Sequence, residues 1–545
     1  MYDHYRSGRP PTRATRSMIT TPHTLASTTG LDVLRDGGSA VDAAIAANAT
    51  LCVAYPHMAG LGGDGFWLLA DDEVSAINAS GPAAEAATRA YYRDREHDSI
   101  PERGSESVLT VPGAVDGWRL AHERHGSLSW HRLFEDAIAH ARDGVPVTAD
   151  LARWIAIDRD VLREDRLAAA TFLRNGHAPD AGTILRQPAL ANSLERIAQH
   201  GPRDGFYDGP LAVEFCAGIG DGSPLAPTDF REYSAEWVTP LSVEYRGYTA
   251  HALPPNTQGL AALQLLGLLE GFDVEEWGDG TVDYYHHLAE AVKVAFADRD
   301  AWVTDPDSID LPAETLLSSA YLDDRRELID RDTTLPADLE PGIAPDGSNP
   351  AAQNAGGDTC YLSVVDSDGM AVSLIQSIYY DFGSATIAGN TGLIPQNRGS
   401  FFSLEDDHVN RLEPGKRTFH TLTPAMLTDG GDPRLVYGTM GGEGQPQTQA
   451  ALVTRLVDFG YDVQQAIEAP RWLFGRTWGD ASRSLSLEGR IPDNVAVGLE
   501  KRGQPVAMAR KYDDTMGHAA AIWLHEDGSL EGGADPRGDG AAIGY

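Results

Sequence analysis

One strand–turn–strand pattern constrains the fold of this 545-residue chain more than any other segment. After the loop residues Gly356-Gly357-Asp358, the run Thr359–Val365 is rich in residues that favour extended backbone. A turn signal, DSDG, follows at 366–369, and the strand pattern resumes over 371–375 as AVSLI. The sequence therefore predicts a β-hairpin whose first strand opens on Thr359. Most junctions of this composition only connect a loop to a strand, so the segment alone does not indicate catalysis.

An alanine-rich helix and a glycine-rich loop dominate the first hundred residues. Ser39 is followed three residues later by Asp42, a capping-box spacing that predicts a helix over AVDAAIAANATLCVAY, ended by Pro56. The glycine-rich segment 60–65 leads into two strands around a turn at Asp71-Asp72. Because it precedes a strand and lacks a Gly-Lys-Ser/Thr ending, it is not expected to bind a nucleotide.

Helical periodicity prevails from about residue 115 to 330, and strand patterns prevail after residue 358. The segments 258–272 and 284–302 give the clearest helical patterns. Later turn signals at 366–369, 429–432 and 526–528 predict hairpins. Between these regions, residues 331–357 combine prolines and glycines with few large apolar side chains, which predicts an exposed loop or linker.

The residue types that bind metals do not form a recognisable site. His286 and His287 are adjacent in a predicted helix, where neighbours point about 100° apart, so we expect structural roles for both. Cys52, Cys216 and Cys360 are widely spaced and are expected to be small buried hydrophobes without disulfides. Cys360 would be a nucleophile only with a nearby histidine, and its strand position points it away from Thr359. No metal is expected.

The charge is strongly negative and limits the classes of partner. The chain has 80 acidic and 43 basic residues, for a net charge of −37, and the acidic side chains are dispersed along it. Salt screens the repulsion within such a surface, so we expect a halophilic protein of a high-salt cytoplasm. Nucleic acid is not an expected partner, because phosphate binding requires clustered Lys and Arg.

Neither the first residues nor any later segment indicates a membrane. The segment MYDHYRSGRPPTRATRSM has arginines but no apolar run after them, unlike a secretory signal or an anchor. No stretch reaches the roughly 18 apolar residues that a bilayer span requires. We therefore expect a soluble, cytoplasmic protein without a membrane partner.

Seven segments in a fixed order resemble the gamma-glutamyltransferase family over nearly the whole chain. They are GGSAVDAAIAANATLCVAYPHMAGLGGDGF, VPGAVDGW, PPNTQGLAAL, GGDTCYLSVVDSDGMAVS, GKRTFHTLTPAM, GTMGGEGQPQTQ and GGADPRGDGAA. The resemblance implies an N-terminal-nucleophile hydrolase, an α+β protein with a four-layer α/β/β/α sandwich.

The same resemblance implies a role for Thr359. The family's threonine at this place attacks the carbonyl of the preceding residue, here Asp358, and the chain is cut between them. A zymogen would thus become a large subunit, 1–358, and a small subunit, 359–545, which remain together as one composite domain. The new α-amine of Thr359, with a pKa near 8, is a base attached to the nucleophile, so no cofactor is needed.

Further catalytic positions carry over from the family. Its glycine pair, whose backbone amides stabilise the oxyanion, matches Gly441-Gly442, although such a pair alone is equally typical of a plain turn. Ser377 occupies the place of a threonine whose hydroxyl supports the nucleophile.

The positions that bind the glutamyl group differ from the family. Ser80 stands in place of an arginine that binds the α-carboxylate. Tyr379, Arg398 and Phe401 replace an Asn, a Gln and an Asp, and His420-Thr421 replaces a pair of serines. A glutamyl ammonium and carboxylate without partners would cost several kcal/mol, so these changes predict rejection of free γ-glutamyl compounds.

The rewritten positions resemble the branch of the family that includes oxamate amidohydrolases and glutaryl-type acylases. Arg398 could pair with an acyl carboxylate and His420 could add a donor, with Thr421 and Tyr379 as further substrate contacts. Arg398 could equally form a structural ion pair.

The sequence therefore predicts a self-cleaving amidohydrolase that acts on a small amide with an acidic acyl group through an acyl-Thr359 intermediate. Two alternatives stay open: a true gamma-glutamyltransferase or glutathione hydrolase, and an uncleaved, non-catalytic relative that binds a ligand. Transfer to an amine is less favoured than hydrolysis, and a homodimer is compatible with the sequence.

Overall fold

Nineteen strands form in the part of the chain that the computed structural model describes, which is residues 7–345, 358–475, 482 and 484–545. They are β1 Thr12–Ala14, β2 Met18–Thr21, β3 Asp64–Ala70, β4 Val74–Ala79, β5 Val145–Pro146, β6 Ile184–Leu185, β7 Glu236–Val238, β8 Leu241–Tyr245, β9 Tyr248–Ala252, β10 Asp358–Val365, β11 Ala371–Tyr379, β12 Ala425–Asp429, β13 Asp432–Thr439, β14 Trp472–Phe474, β15 Leu485–Leu487, β16 Val506–Met508, β17 Ala519–Leu524, β18 Leu530–Ala534 and β19 Ala541–Gly544.

Two seven-stranded antiparallel sheets contain most of these strands. The first has the order β1-β18-β17-β13-β12-β9-β8, and the second has the order β19-β2-β10-β11-β3-β4-β7. A three-stranded sheet, β14-β15-β16, and a two-stranded sheet, β5-β6, are separate. Both large sheets contain strands from before and from after residue 358, so the two parts of the chain share one architecture.

Nineteen α-helices form in the same described residues. They are α1 Thr24–Arg35, α2 Ala40–Ala54, α3 Arg89–Arg93, α4 Ala114–His125, α5 Glu135–Asp143, α6 Ala149–Ile157, α7 Arg159–Glu164, α8 Arg166–Phe172, α9 Pro188–Pro202, α10 Pro210–Ile219, α11 Pro227–Glu232, α12 Gly259–Glu270, α13 Val274–Trp277, α14 Val282–Trp302, α15 Ala313–Leu316, α16 Ser319–Arg326, α17 Gly444–Val453, α18 Val463–Glu468 and α19 Asp493–Lys501. None of these helices is both long and apolar enough to cross a membrane.

Three apolar cores define four layers. One core joins α2 to the outer face of the second sheet through residues such as Leu362 and Leu374. Another joins α12, α14 and α17 to the outer face of the first sheet. The third, with Tyr361 and Met426, fills the space between the sheets. This arrangement is the α/β/β/α sandwich expected from the sequence.

Local signals in the sequence produced the elements that they predict. The Ser39 side chain accepts a hydrogen bond from the backbone N–H of Asp42, and the Asp42 carboxylate accepts one from the backbone of Ser39, so α2 begins with a full capping box. The Thr359 hairpin forms as β10 and β11. The turns at 71–72, 429–432 and 526–528 join β3 to β4, β12 to β13 and β17 to β18.

The predicted linker and the isolated His and Cys residues can be placed in part. No helix or strand lies between Arg326 and residue 345, while 346–357 lie outside the described residues. His286 Nε2 lies 2.8 Å from the carbonyl oxygen of Asp330, and His287 Nδ1 lies 2.7 Å from that of Asp283. No group of three or more metal-binding side chains occurs in the described ranges.

The prediction of buried cysteines holds for two of the three. Cys52 and Cys360 are buried free thiols, but Cys216 is only half-buried. It lies near the C-terminal end of α10, whose buried face is formed by Leu211, Ala212 and Phe215. The sequence prediction was therefore wrong for Cys216, because its position on this helix falls beside that face.

Candidate active site

Thr359 lies at the start of β10, the third strand of the second sheet. The β10–β11 ladder shifts register between Asp358 and Cys360, so Thr359 occupies an irregularity of the kind common beside active sites. Cys360 points away, with Sγ 3.7 Å from Asn48 Nδ2 in the helical layer, as predicted. The Thr359 side chain is buried, and its hydroxyl has no hydrogen-bond partner within the described part of the chain.

Two other polar residues lie at the ends of β11 and β3, the two strands that follow β10 in the sheet. Ser377 of β11 pairs directly with Asp64, the first residue of β3. Residues paired across a ladder point to the same face and are about 5 Å apart. Ser377 Oγ accepts a hydrogen bond from the backbone N–H of Tyr379 (2.8 Å) and from Nη2 of Arg398 (3.2 Å). A row of polar side chains thus crosses three neighbouring strands.

Gly441 and Gly442 follow the end of β13 in the opposing sheet. Their φ angles are 125° and 52°, in the region that strongly favours glycine. The α17 helix begins two residues later at Gly444, whose backbone N–H donates to the carbonyl oxygen of Gly441 at 2.8 Å. The pair therefore lies at a helix N-terminus, where the helix dipole favours negative charge.

The segment PPNTQG fixes both loops that border the site. Gln258 Nε2 donates to the carbonyl oxygens of Thr421, at 2.6 Å, and Gly442, at 2.9 Å. Its backbone N–H donates to the carbonyl oxygen of His420 at 3.0 Å. Asn256 Nδ2 donates to Ser80 Oγ at 3.2 Å, so Ser80 belongs to a buried amide–hydroxyl network.

Arg398 is a fully buried cation with unused donors. Its guanidinium lies over the ring of Tyr379, 4.3 Å from the centroid, and 5.3 Å from the centroid of Phe401. Nε and Nη1 have no hydrogen-bond partner among the described residues. Burial lowers the pKa of Arg398 to about 10, and it remains charged at neutral pH. Each of these two donors, together with the second N–H of Nη2, lies on one edge of the guanidinium that can bind a carboxylate through two hydrogen bonds.

Asp64 and His420 meet beside Arg398. His420 is buried, its Nε2 lies 3.3 Å from Asp64 Oδ2, and its ring packs edge-on against Phe66. Burial, with a smaller contribution from Arg398, lowers the pKa of His420 well below its ordinary value, so the imidazole is neutral. Nδ1 of His420 and Oγ1 of Thr421 are without partners in the ranges that the structure describes.

The glycine-rich loop before β3 serves close packing. A Cβ atom on Gly63 would lie 2.2 Å from the carbonyl oxygen of Ser377, and one on Gly62 would lie 2.2 Å from that of Ile394. The absence of side chains therefore lets the loop pass directly behind the strand that carries Ser377. This packing accounts for the glycines without a bound phosphate.

Direct contacts thus join Ser377, Arg398 and Tyr379, and Gln258 joins His420, Thr421 and Gly442. Thr359 lies on β10, the strand next to Ser377, and its role as nucleophile stays a prediction. Sequence reasoning missed Asp64 and Gln258, which contact these residues. Both lie inside segments that carried the family resemblance, GLGGDG and PPNTQG. An acid or amide side chain next to glycine in these segments was the sequence signal that could have indicated a role in the site.

A four-layer sandwich of this kind, with a threonine at the start of a central strand, is typical of the N-terminal-nucleophile hydrolase class. A gamma-glutamyltranspeptidase family model matches residues 26–545. The glutathione hydrolase-like YwrD proenzyme of Bacillus subtilis is 46% identical over 97% of this chain and 98% of its own length. The oxamate amidohydrolase proenzyme of Klebsiella pneumoniae is 43% identical over 98% and 99%.

A solved structure agrees with these relatives. The cephalosporin acylase from Bacillus halodurans superimposes with a TM-score of 0.90, at 35% identity, over 100% of this chain and 98% of that one. This chain therefore belongs to the gamma-glutamyltranspeptidase family.

Proposed function

We propose that this protein is a self-processing amidohydrolase that hydrolyses a small amide with an acidic acyl group. The observation that carries the proposal is Arg398, a buried cation with two unpartnered donors, hydrogen-bonded to the serine beside the expected nucleophile. Membership of the family and similarity to an oxamate amidohydrolase proenzyme support the same chemistry.

Maturation would begin at the bond between Asp358 and Thr359. Thr359 Oγ1 attacks the Asp358 carbonyl carbon, the C–N bond breaks, and the hydroxyl proton passes to the amine that leaves. Water then hydrolyses the ester and yields subunits 1–358 and 359–545. Because β2 and β19 pair with each other beside β10, strands of both subunits interleave and would hold the composite domain together after cleavage.

Catalysis would use the new N-terminus of Thr359. The α-amine accepts the hydroxyl proton while Oγ1 attacks the substrate carbonyl, and the backbone amides of Gly441 and Gly442 stabilise the oxyanion. The amine of the substrate leaves with that proton, and water hydrolyses the acyl-threonine ester. The hydrogen bonds of Ser377 to Tyr379 and Arg398 would keep its hydroxyl fixed beside the nucleophile.

Recognition would select the acyl group by its carboxylate. Either Nε or Nη1 of Arg398 can form a paired contact with a carboxylate together with the second N–H of Nη2, His420 Nδ1 and Thr421 Oγ1 are further unpartnered polar atoms, and Tyr379 forms an aromatic wall. Since Arg398 contacts Ser377 directly, the carboxylate would bind close to the scissile carbonyl. This geometry favours short dicarboxylic acyl groups over long ones.

Intact mass spectrometry of the purified protein in high salt tests self-processing. The wild-type protein should give two chains, the second beginning at Thr359, and Thr359→Ala should stay whole. Thr359→Ser should be cut, because it keeps the hydroxyl. Ser363→Ala is a matched control, since it removes a buried hydroxyl from the same strand and should not prevent cleavage. An intact wild-type chain would favour a non-catalytic, ligand-binding relative instead.

A panel of monoamides tests the acyl group. Oxamate, succinamate and glutaramate should be hydrolysed, while acetamide and propionamide, which lack the carboxylate, should not. Arg398→Lys should lower kcat/KM for the best acid by about 100-fold, because the ammonium cannot form the paired contact. Arg246→Lys, on a partly buried arginine near the end of α12, should leave kcat/KM unchanged.

A glutathione hydrolase is the second candidate, favoured by the similarity to the YwrD proenzyme. It predicts release of glutamate from γ-glutamyl anilides at a higher kcat/KM than release of any acidic acyl group from the monoamide panel. The buried Ser80 network, in place of the family's carboxylate-binding arginine, argues against this outcome.

Two further proposals concern where the protein works and whether it forms a homodimer. A net charge of −37 supports a halophilic protein of a high-salt cytoplasm. Fractionation of the source cells, with immunodetection of both subunits, tests the location. Light scattering in high salt distinguishes a homodimer from a monomer.

A further inference from the structure

Asp64 is the only carboxylate that the described residues place against His420 and close enough to Arg398 to act on its charge. Its Oδ1 accepts hydrogen bonds from the backbone N–H groups of Gly81 and Gly113, each at 3.1 Å, and from Gln396 Nε2 at 3.0 Å. Its Oδ2 lies 3.3 Å from His420 Nε2. The carboxyl group is therefore fixed on one side and open to a proton on the other.

The charges around Asp64 balance when the pocket is empty. Arg398 supplies one positive charge, ionised Asp64 supplies one negative charge, and His420 is neutral. The other titratable groups that act on Asp64 are Tyr207 and Tyr233, both neutral because burial raises the pKa of each phenol well above its ordinary value. After maturation the α-amine of Thr359 also lies in this sheet, on β10, which β11 separates from β3.

A second anion would disturb this balance. A substrate carboxylate on Arg398 would neutralise the charge that stabilises ionised Asp64 and would add a like charge nearby. Both changes favour protonation of the carboxyl group. Burial already raises the pKa of Asp64 to about 7, so little additional effect is needed near neutral pH.

We propose that the Asp64–His420 pair is a specificity-determining element that takes up one proton from solvent when an acyl carboxylate binds Arg398. The Asp64–His420 pair holds the added proton, and the pocket keeps its net charge. An amide without a carboxylate does not drive this uptake. The inference rests on the proposed function, because it requires an acidic acyl group at Arg398.

Calorimetric titration of the mature two-chain enzyme measures this uptake. The probes are N,N-dimethyloxamate and N,N-dimethylsuccinamate, monoanions whose tertiary amides resist attack, each titrated in phosphate and in Tris at pH 7.5. The buffer-dependent part of the heat gives the number of protons taken up. Because the pKa of Asp64 is about 7, about a quarter of these carboxyl groups already carry a proton at pH 7.5, so we expect uptake of about three-quarters of a proton per ligand at this pH and, above pH 8, a loss of affinity that approaches 10-fold per pH unit.

Asp64→Asn separates the pair from the amine of Thr359. Asparagine keeps an oxygen for Gly81, Gly113 and Gln396 but cannot bind the proton, so uptake and the pH dependence should both disappear. Asp366→Asn is the matched control, because Asp366 is also a partly buried acid that accepts backbone hydrogen bonds, at the other end of the hairpin. It should behave as the wild type.

The outcomes distinguish this inference from the proposed function. Binding without proton uptake in the wild type, or equal uptake in Asp64→Asn, overturns the role of the pair and leaves the amidohydrolase proposal intact. If neither monoanion binds and no acidic monoamide is hydrolysed, both proposals fail. Should Asp64→Asn not mature into two chains, the unprocessed Thr359→Ala chain, which has no free α-amine at this position, is titrated instead: proton uptake equal to that of the wild type assigns the proton to the pair, and its loss overturns the inference.

Discussion

The side-chain amide of Gln258 donates a 2.9 Å hydrogen bond to the carbonyl oxygen of Gly442. Through this contact the residue before α12 fixes the loop expected to supply the oxyanion donors. Gln258→Met keeps the size and removes both side-chain donors, so the Gly442 amide would no longer be held in place. We expect kcat to fall about 10- to 100-fold, less than the roughly 100- to 1,000-fold cost of losing an oxyanion donor itself.

Gln264→Met is the matched control for Gln258→Met. Gln264 is also buried, one and a half turns further along α12, and donates to Asp298 Oδ2 at 2.9 Å, away from the site. The control should lower Tm without lowering kcat. Steady-state assays with the best monoamide compare the two variants, and equal kcat values for Gln258→Met and the wild type would refute the positioning role.

Substitution by alanine should have opposite effects at Gly63 and at Gly65. A methyl group at Gly63 would meet the Ser377 carbonyl oxygen at 2.2 Å, whereas at Gly65 its nearest neighbour would be 3.6 Å away. Gly63→Ala should therefore displace β11 and slow self-cleavage or prevent folding, while Gly65→Ala should mature normally. Gel analysis of maturation over time, beside Tm, measures both effects. Normal maturation of Gly63→Ala would show that the loop is not in tight contact.

The sequence was most informative where one local signal decides the structure. The capping box of Ser39 and Asp42 and the turn signals between strands need no distant partner, so their elements were predictable. The order of strands in the sheets was not predictable from such signals and came only from the family resemblance. Pairing of β2 with β10 joins residues more than 340 positions apart, which no local pattern encodes.

The candidate site shows the same limit. Thr359, Arg398 and His420 could be selected by their place in matched motifs, but Asp64 had been interpreted only as part of a glycine-rich loop. Its importance depends on burial and on donors from Gly81, Gly113 and Gln396. Such convergence is a property of the folded chain.

Salt should stabilise the protein chiefly by screening. The Debye length falls from about 10 Å at 0.1 M to about 3 Å at 1 M, so repulsion within a surface of net charge −37 is largely removed over this range. We expect Tm to rise most steeply between 0.1 and 1 M KCl. Sucrose, which does not screen charge, should give a smaller rise at the same molarity, and an equal rise would contradict screening as the cause.

His23 should make the protein sensitive to acid. It is buried at the N-terminus of α1, where Nδ1 accepts a hydrogen bond from the backbone N–H of Leu25. Burial, with the nearby His57 and His140, lowers the pKa of His23 from 6.5 to about 4 in the folded state. Between these values the unfolded chain binds more protons than the folded one. The contribution of neutral His23 to the free energy of unfolding is therefore complete above pH 6.5. It is lost as the pH falls towards 4, by about 3 kcal/mol in total.

Urea unfolding in 2 M KCl at pH 7.5, 6.0 and 5.0 measures this loss for His23. His23→Asn keeps a side-chain acceptor at the helix N-terminus and removes the titrating ring. The free energy of unfolding should therefore fall less steeply with acid in this variant than in the wild type, whatever the offset at pH 7.5. His131→Asn changes a solvent-exposed histidine and should keep the wild-type slope. Parallel slopes for His23→Asn and the wild type would mean that other buried groups, such as His420 or His518, carry the acid sensitivity.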